Sequence, residues 1–150
     1  MRLVFLDSGP LGLITNPLNR PRADACRQWA KEMTSAGVRL LIPEIADYEV
    51  RRKLIQIRAT AGIRRLNQAS TILDYVPITT EAMLQAAELW AAARQAGQPT
   101  AAPDALDGDC ILAAQVMTHS SIAYEIIVAT MNVGHLGRFV DARAWDEIVP

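Results

Sequence analysis

Arg2-Leu3-Val4-Phe5-Leu6-Asp7-Ser8-Gly9-Pro10 opens the chain with an apolar run closed by an acid and a turn. Its apolar run, closed by Asp and then Gly-Pro, predicts a buried parallel strand ending at a turn. In open α/β sheets, ligands bind outside the carboxyl ends of the strands. Asp7 therefore stands where such a fold keeps its chemistry. It also has an ordinary use, as the N-cap of a helix that follows.

The rest of the chain alternates helices with short apolar strands. Leu11 to Ile14 predicts a short helix, stopped near Asn16-Pro17. Pro21 to Ala36 predicts the next, with Ala25, Trp29 and Met33 spaced by four and Gly37 as its stop. Val38 to Ile42 reads as a strand ended by Pro43. Glu44 to about Thr60 and Ile63 to Leu73 read as helices, and Tyr75 to Ile78 as a third strand. Thr80 to Gln95 is an alanine-rich helix capped by Thr79 or Thr80. A loop covers Gly97-Gln98-Pro99 and Ala101-Ala102-Pro103, and Asp104 to Thr118 is again helical. Ile126 to Ala129 is a β-branched strand, and a last strand is placed near Glu147-Ile148-Val149. This alternation predicts βαβ units and an α/β fold, a three-layer α/β/α sandwich around a mostly parallel sheet.

The bulk properties narrow the class. A chain of 150 residues, 51% apolar, suits one domain over residues 1–150 with a substantial core. The net charge of −1 gives no global field toward nucleic acid or membrane. Only Lys31 and Lys53 are lysines; the other basic residues are arginines, which hold phosphate bidentately. Cys26 and Cys110 form no metal-binding or CxxC pattern and read as buried free thiols of a reducing compartment. No apolar stretch approaches a bilayer span, and no signal-like segment is present. The expected location is the cytoplasm, away from membranes.

Five places supply polar side chains for a site. Asp7 ends the first strand. Glu49 lies on the helix after the second strand, and its ordinary reading is an exposed acid paired with Lys53. Asp107 and Asp109 open a later helix. Asp107 suits an N-cap there, and Asp109 a first-turn acid favoured by the helix dipole. Asp109 also directly precedes the apolar run Cys110-Ile111-Leu112-Ala113-Ala114, which suggests that it points into a pocket. Thr130-Met131-Asn132-Val133-Gly134-His135 follows the fourth strand. Carboxylates gathered at strand ends and helix starts repel one another unless a cation neutralises them. Oxygen ligands suit Mg²⁺ or Mn²⁺. A divalent ion so held lowers the pKa of a bound water and clamps a phosphate oxygen, which is phosphodiester hydrolysis.

These blocks resemble the PIN domain family, the fold of many small Mg²⁺-dependent ribonucleases and of VapC-type toxins. The resemblance is carried by Val4-Phe5-Leu6-Asp7-Ser8-Gly9, Tyr48-Glu49-Val50-Arg51-Arg52-Lys53-Leu54, Asp107-Gly108-Asp109-Cys110-Ile111-Leu112-Ala113-Ala114 and Val128 to Leu136. They stand in family order and span nearly the whole chain. The resemblance implies that Asp7, Glu49 and Asp109 are acidic metal ligands of a ribonuclease, with Asp107 as an extra ligand or a supporting group. Ser8, Thr130 and Asn132 would support the site. His135 stands where many relatives keep an aspartate; it is able to bind metal or shuttle a proton, but adds no negative charge. The resemblance also implies an RNA substrate, an antitoxin partner and a homodimer. An arginine inserted by that partner would neutralise the acidic pocket.

Arg51, Arg52, Lys53, Arg58, Arg64 and Arg65 cluster along the helix of Glu49 and the next one. They read either as a solvated basic face or as a rim that tracks RNA phosphates, with Arg51, Arg52, Lys53 and Arg58 as the RNA-binding candidates. Few aromatic residues accompany them, so base stacking is not expected. Two rival functions remain open. One is a PIN-like module that binds RNA or a protein without cutting. The other, a phosphotransfer domain with Asp7 as nucleophile, lacks the neighbouring acid that such sites use.

Overall fold

The computed structural model describes residues 1–97 and 103–150. Among these residues five strands form one sheet: β1 (Arg2–Leu6), β2 (Arg39–Pro43), β3 (Asp74–Val76), β4 (Glu125–Thr130) and β5 (Ala142–Ala144), in the order β3-β2-β1-β4-β5. Every pairing is parallel. The chain steps outward from β1 to β3, then returns to the other side of β1 with β4. The order therefore reverses between β1 and β4. This is the switch point at which an open α/β sheet leaves a crevice beyond its strand ends.

Alternation along β1 divides the core. Val4 and Leu6 share a buried cluster with Leu11, Cys26, Trp29, Met33, Leu66 and Trp145. Leu3 and Phe5 pack on the opposite face with Ile45, Leu112, Val116 and Leu136. The first cluster is built on α1 (Ser8–Thr15), α2 (Pro21–Ser35), α3 (Glu44–Gln56) and α4 (Thr60–Ile72). The second draws on α6 (Pro103–His119) and α7 (Val133–Leu136). Burial of a strand on both faces explains why β1 reads as a continuous apolar run. Ala82, Ala86 and Ala93 of α5 (Thr80–Gln95) meet Leu106, Cys110 and Ala114 of α6, so small side chains set that packing. The expected parallel three-layer sandwich is the observed fold.

Several local expectations need correction. α1 begins at Ser8, directly after Asp7, three residues before the predicted start. The helix expected from Glu44 to Thr60 ends at Gln56, and Arg58, at φ 56°, turns the chain into α4. α6 starts at Pro103, so Asp107 lies inside the helix and is not its N-cap. The start expected at Asp104 already enclosed Asp107; proline at the first helical position loses no bond there, which allows a start one residue earlier. Residues 98–102 of the expected loop lie outside the described residues.

The last strand is Ala142–Ala144, not Glu147–Val149. Trp145–Glu147 forms a 3₁₀ turn, and the carbonyl of buried Ile148 accepts the Trp29 indole N–H at 2.9 Å. Thr79 is the cap of α5, accepting from the Ala82 N–H at 3.0 Å. Cys26 and Cys110 are buried free thiols; burial pushes the first up to about 12 and the second to about 11. Among the described residues, no helix is long and apolar enough to cross a membrane.

Candidate metal centre

The end of β1 delivers Asp7 to the switch point, and the end of β4 delivers Thr130 beside it. Asp7 caps α1 through Oδ1, which accepts the Ser8 N–H at 2.8 Å. Its Oδ2 accepts the Thr130 hydroxyl at 2.8 Å. The Thr130 oxygen in turn accepts the Asn132 N–H at 2.9 Å. Asp7 thus caps α1 with one oxygen and bonds Thr130 with the other.

Glu49 reaches the same place from α3 and Asp109 from α6. Asp7, Glu49 and Asp109 line one cavity of about 390 Å³, together with Ser8, Gly9, Met131, Asn132 and His135. The Glu49 carboxylate lies against the backbone of α6 at Gly108, where a side chain would come within 3.3 Å of Oε1. The expected Glu49–Lys53 pair is replaced by Arg52, whose Nη2 is 4.0 Å from Glu49 Oε2. The Nδ1 of His135 lies 3.0 Å from Asn132 Nδ2 and 3.8 Å from Asp109 Oδ2. A chain of polar contacts therefore runs from Asp7 through Thr130, Asn132 and His135 to Asp109.

The electrostatics match carboxylates crowded in a half-buried pocket. Burial raises the Asp7 pKa, against the opposing bonds from Thr130 and Ser8. Burial raises Glu49, and the charge of Asp7 raises it further, against Arg52. Asp109 is raised by burial and then by Asp7, against His135 and Arg138. All three acids are harder to ionise because they are buried, and Glu49 and Asp109 are made harder still by the charge of Asp7.

The donor chemistry fits a hard divalent cation, since the cavity offers carboxylate oxygens and a deficit of positive charge. Among the described residues, no three of the His, Cys, Asp and Glu side chains are already drawn into a set that could hold a metal ion. Mg²⁺ asks for less than that, because it keeps several waters and takes one or two carboxylates. The fit is to an open site with water-filled positions rather than to a closed cage.

Asp107 does not line the acidic cavity. It borders a hollow with Ile45, Tyr48, Glu49, Arg52, Gly108 and Ile111, and a second one with Trp90 and Cys110. Residues two apart on a helix do not share a face, which separates Asp107 from Asp109. The basic residues also part company. Lys53 lines a pocket with Ser8 and Glu49, and Arg52 touches Glu49. Arg51 points elsewhere: Nε is 2.7 Å from Oδ1 of buried Asp47, and Nη1 is 2.8 Å from Asn67 Oδ1. Arg58 occupies the turn between α3 and α4. The Arg52 guanidinium lies 5.1 Å over the ring of Tyr48, an aromatic neighbour outside the set of residues predicted to form the site. The spacing of four between Tyr48 and Arg52 is the sequence signal that points to it.

By structure, the chain is similar to VapBC2 from Rickettsia felis, solved bound to a DNA fragment from the promoter, with a TM-score of 0.67 and 14% identity over 96% of this chain and 99% of that one. It is equally similar to DNA-bound VapBC from Salmonella typhimurium (TM-score 0.67, 19% identity, 97% and 99% covered). FitAcB from Neisseria gonorrhoeae gives a TM-score of 0.67 at 20% identity, with 97% and 99% covered. At these identities the likeness is one of fold. Sequence comparison with curated proteins finds no match. The family model described as PIN domain matches residues 4–132, a span that runs from the strand carrying Asp7 to Asn132, and the chain belongs to the PIN domain family.

Proposed function

We propose that this chain is a Mg²⁺- or Mn²⁺-dependent endoribonuclease and the toxin component of a type II toxin–antitoxin pair. The observation that carries the reading is the convergence of Asp7, Glu49 and Asp109, from three separate segments, on one cavity at the sheet's switch point. Membership of the PIN family supports nuclease chemistry. RNA as the substrate rests on the family resemblance of the four sequence blocks.

A bound divalent ion would supply an activated water and charge stabilisation at the phosphoryl oxygens. Asp7, Glu49 and Asp109 are the residues that would hold it. Thr130 and the Ser8 N–H fix both oxygens of Asp7, so its carboxylate meets the ion without a search over rotamers. Asn132 engages the His135 ring, and His135 in turn stands beside Asp109. Arg52 and Lys53, three and four residues after Glu49, offer cations to the phosphates on either side of the cut.

The antitoxin partner is part of the same proposal, and the similar VapBC structures support it. Exposed Ile55, Ile57 and Ile72 on and beside α3 and α4 are apolar surface suited to burial in such a complex or in a homodimer. The rival reading, a PIN module that binds without cutting, rests on His135, which lines the cavity without adding a carboxylate.

Mn²⁺ calorimetry and RNA cleavage on the wild type, Asp7→Asn and Asp109→Asn separate the two. A nuclease binds Mn²⁺ at a defined site and cuts, and both variants lose cleavage while keeping their fold. Metal-dependent cleavage retained by Asp7→Asn overturns the assignment of the site. Absence of both binding and cleavage in the wild type favours the binding module.

A further inference from the structure

Glu49 lies at a border between two depressions. On one side is the acidic cavity. On the other is a hollow of about 200 Å³ between α3 and α6, lined by Ile45, Tyr48, Glu49, Arg52, Asp107, Gly108 and Ile111. Ile45, Tyr48, Glu49 and Arg52 are spaced as one face of α3. Asp107 and Ile111 then continue into an apolar cavity of about 380 Å³, walled by Met83, Ala86, Ala87 and Trp90 of α5. A track thus leads from the acids, past an aromatic ring and a guanidinium, to an apolar recess.

Resting on the nuclease reading above, we infer that the hollow between α3 and α6 is a nucleobase subsite for the nucleotide next to the cut phosphate, selective for a base that carries an exocyclic amino group. Three observations carry this. Tyr48 is 55% exposed and stacked with Arg52, so the pair offers a flat surface to solvent. Single-stranded RNA is held by stacking its bases on such aromatic and guanidinium planes. Asp107 is exposed at the mouth of the hollow, with no hydrogen bond or ion pair to its side chain among the described residues. A carboxylate is an acceptor only; it repels a phosphate or a base carbonyl and accepts from an amino group, as of cytosine N4. Arg52 lies between Glu49 and Tyr48 and supplies the cation that the adjoining phosphate needs. Gly108 leaves the floor open because it has no side chain.

The test uses short single-stranded oligocytidine and oligouridine, which differ in having an amino group or a carbonyl at the same ring position. Binding is read by fluorescence anisotropy on the Asp7→Asn protein, and cleavage of the same strands is read on the wild type with Mn²⁺. Oligocytidine is expected to bind about tenfold more tightly than oligouridine, the worth of one charge-assisted hydrogen bond. Adding Asp107→Ala removes that preference. Adding Tyr48→Ala weakens both strands by about 5- to 150-fold, whereas Tyr48→Phe changes them roughly twofold or less. Both side chains are exposed, and circular dichroism confirms that the variants fold. If the strands bind but neither variant alters affinity or preference, the subsite is overturned while cleavage by the wild type keeps the nuclease reading intact. If the wild type cuts neither strand and Asp7→Asn binds neither, the nuclease reading falls and the subsite with it.

Discussion

Thr130 donates its hydroxyl to Asp7 Oδ2 at 2.8 Å, joining residues 123 positions apart in the chain. The two sit at the ends of adjacent parallel strands, where Leu6 is in register with Ala129. Thr130 is fully buried and its oxygen also accepts the Asn132 N–H. Thr130→Val removes both contacts while keeping the shape of the side chain. The expected outcome is a loss of about 1–3 kcal/mol in urea unfolding, together with weakened Mn²⁺ binding. Thr130→Ser, which keeps the hydroxyl, should restore most of the metal affinity. A valine variant that binds Mn²⁺ like the wild type would show that Asp7 is positioned by other means.

The raised acids make the metal-free protein sensitive to pH. Asp7, Glu49 and Asp109 all have folded-state pKa values above their unfolded ones. Such a group favours folding fully below its unfolded pKa and loses that contribution as pH rises through its folded pKa. From these acids alone, stability should fall from the acid range toward neutrality. Comparing the pH dependence of unfolding for the wild type and Asp7→Asn isolates the effect: the variant should be less sensitive, with Glu49 and Asp109 also relieved of a repelling charge. Added Mg²⁺ should flatten the wild-type dependence. Identical pH profiles for the two proteins would contradict the mutual repulsion.

Arg51 and Arg52 are neighbours in sequence with different tasks. Arg51 is held by Asp47 and Asn67, and Asp47 is only 5% exposed. Arg52 faces Glu49 and Tyr48. Arg51→Ala should therefore lower stability by about 1–3 kcal/mol, with RNA affinity unchanged for the folded fraction. Arg52→Ala should leave stability within about 0.5 kcal/mol and weaken RNA binding with a shallower salt dependence. Urea unfolding and binding over a salt series decide between them. Equal effects on RNA binding would return Arg51 to the phosphate-tracking rim.

This division marks how far the sequence was legible. Asp7 was readable because an acid that closes a doubly buried strand either caps the next helix or faces the crevice at the strand ends, and here it caps α1 and lines the acidic cavity. Asp109 was readable as an acid beside an apolar helix face, Glu49 only through the block that resembles the PIN family, and the parallel sheet followed from the alternation of elements. Asp107 was misread as a cap although the helix expected from Asp104 already enclosed it, because an acid followed by Gly108 and then an apolar run imitates a helix start. β5 was missed because Ala142-Arg143-Ala144 has little apolar side chain, while Ile148 and Val149 imitate a strand. Which basic residue faces the acids was hidden for another reason. Asp47 stands four residues before Arg51 on the same helix, but the second partner, Asn67, belongs to α4, and no local pattern records that contact between two helices.

Gly108 sets two demands of the fold against each other. Glycine inside α6 costs about 1 kcal/mol relative to alanine. A side chain there would stand 3.3 Å from Glu49 Oε1 and 3.4 Å from Oε2. That is close enough to push the carboxylate aside by a few tenths of an ångström, and Glu49 has room to move because it borders open cavities on both sides. Gly108→Ala should therefore raise or preserve thermal stability while weakening Mn²⁺ binding and cleavage, since Glu49 leaves its place facing Asp7 and Asp109. Calorimetry on the folded variant reads metal binding separately from stability. A variant that is more stable and binds Mn²⁺ as tightly as the wild type would show that the approach of Glu49 to α6 does not serve the site.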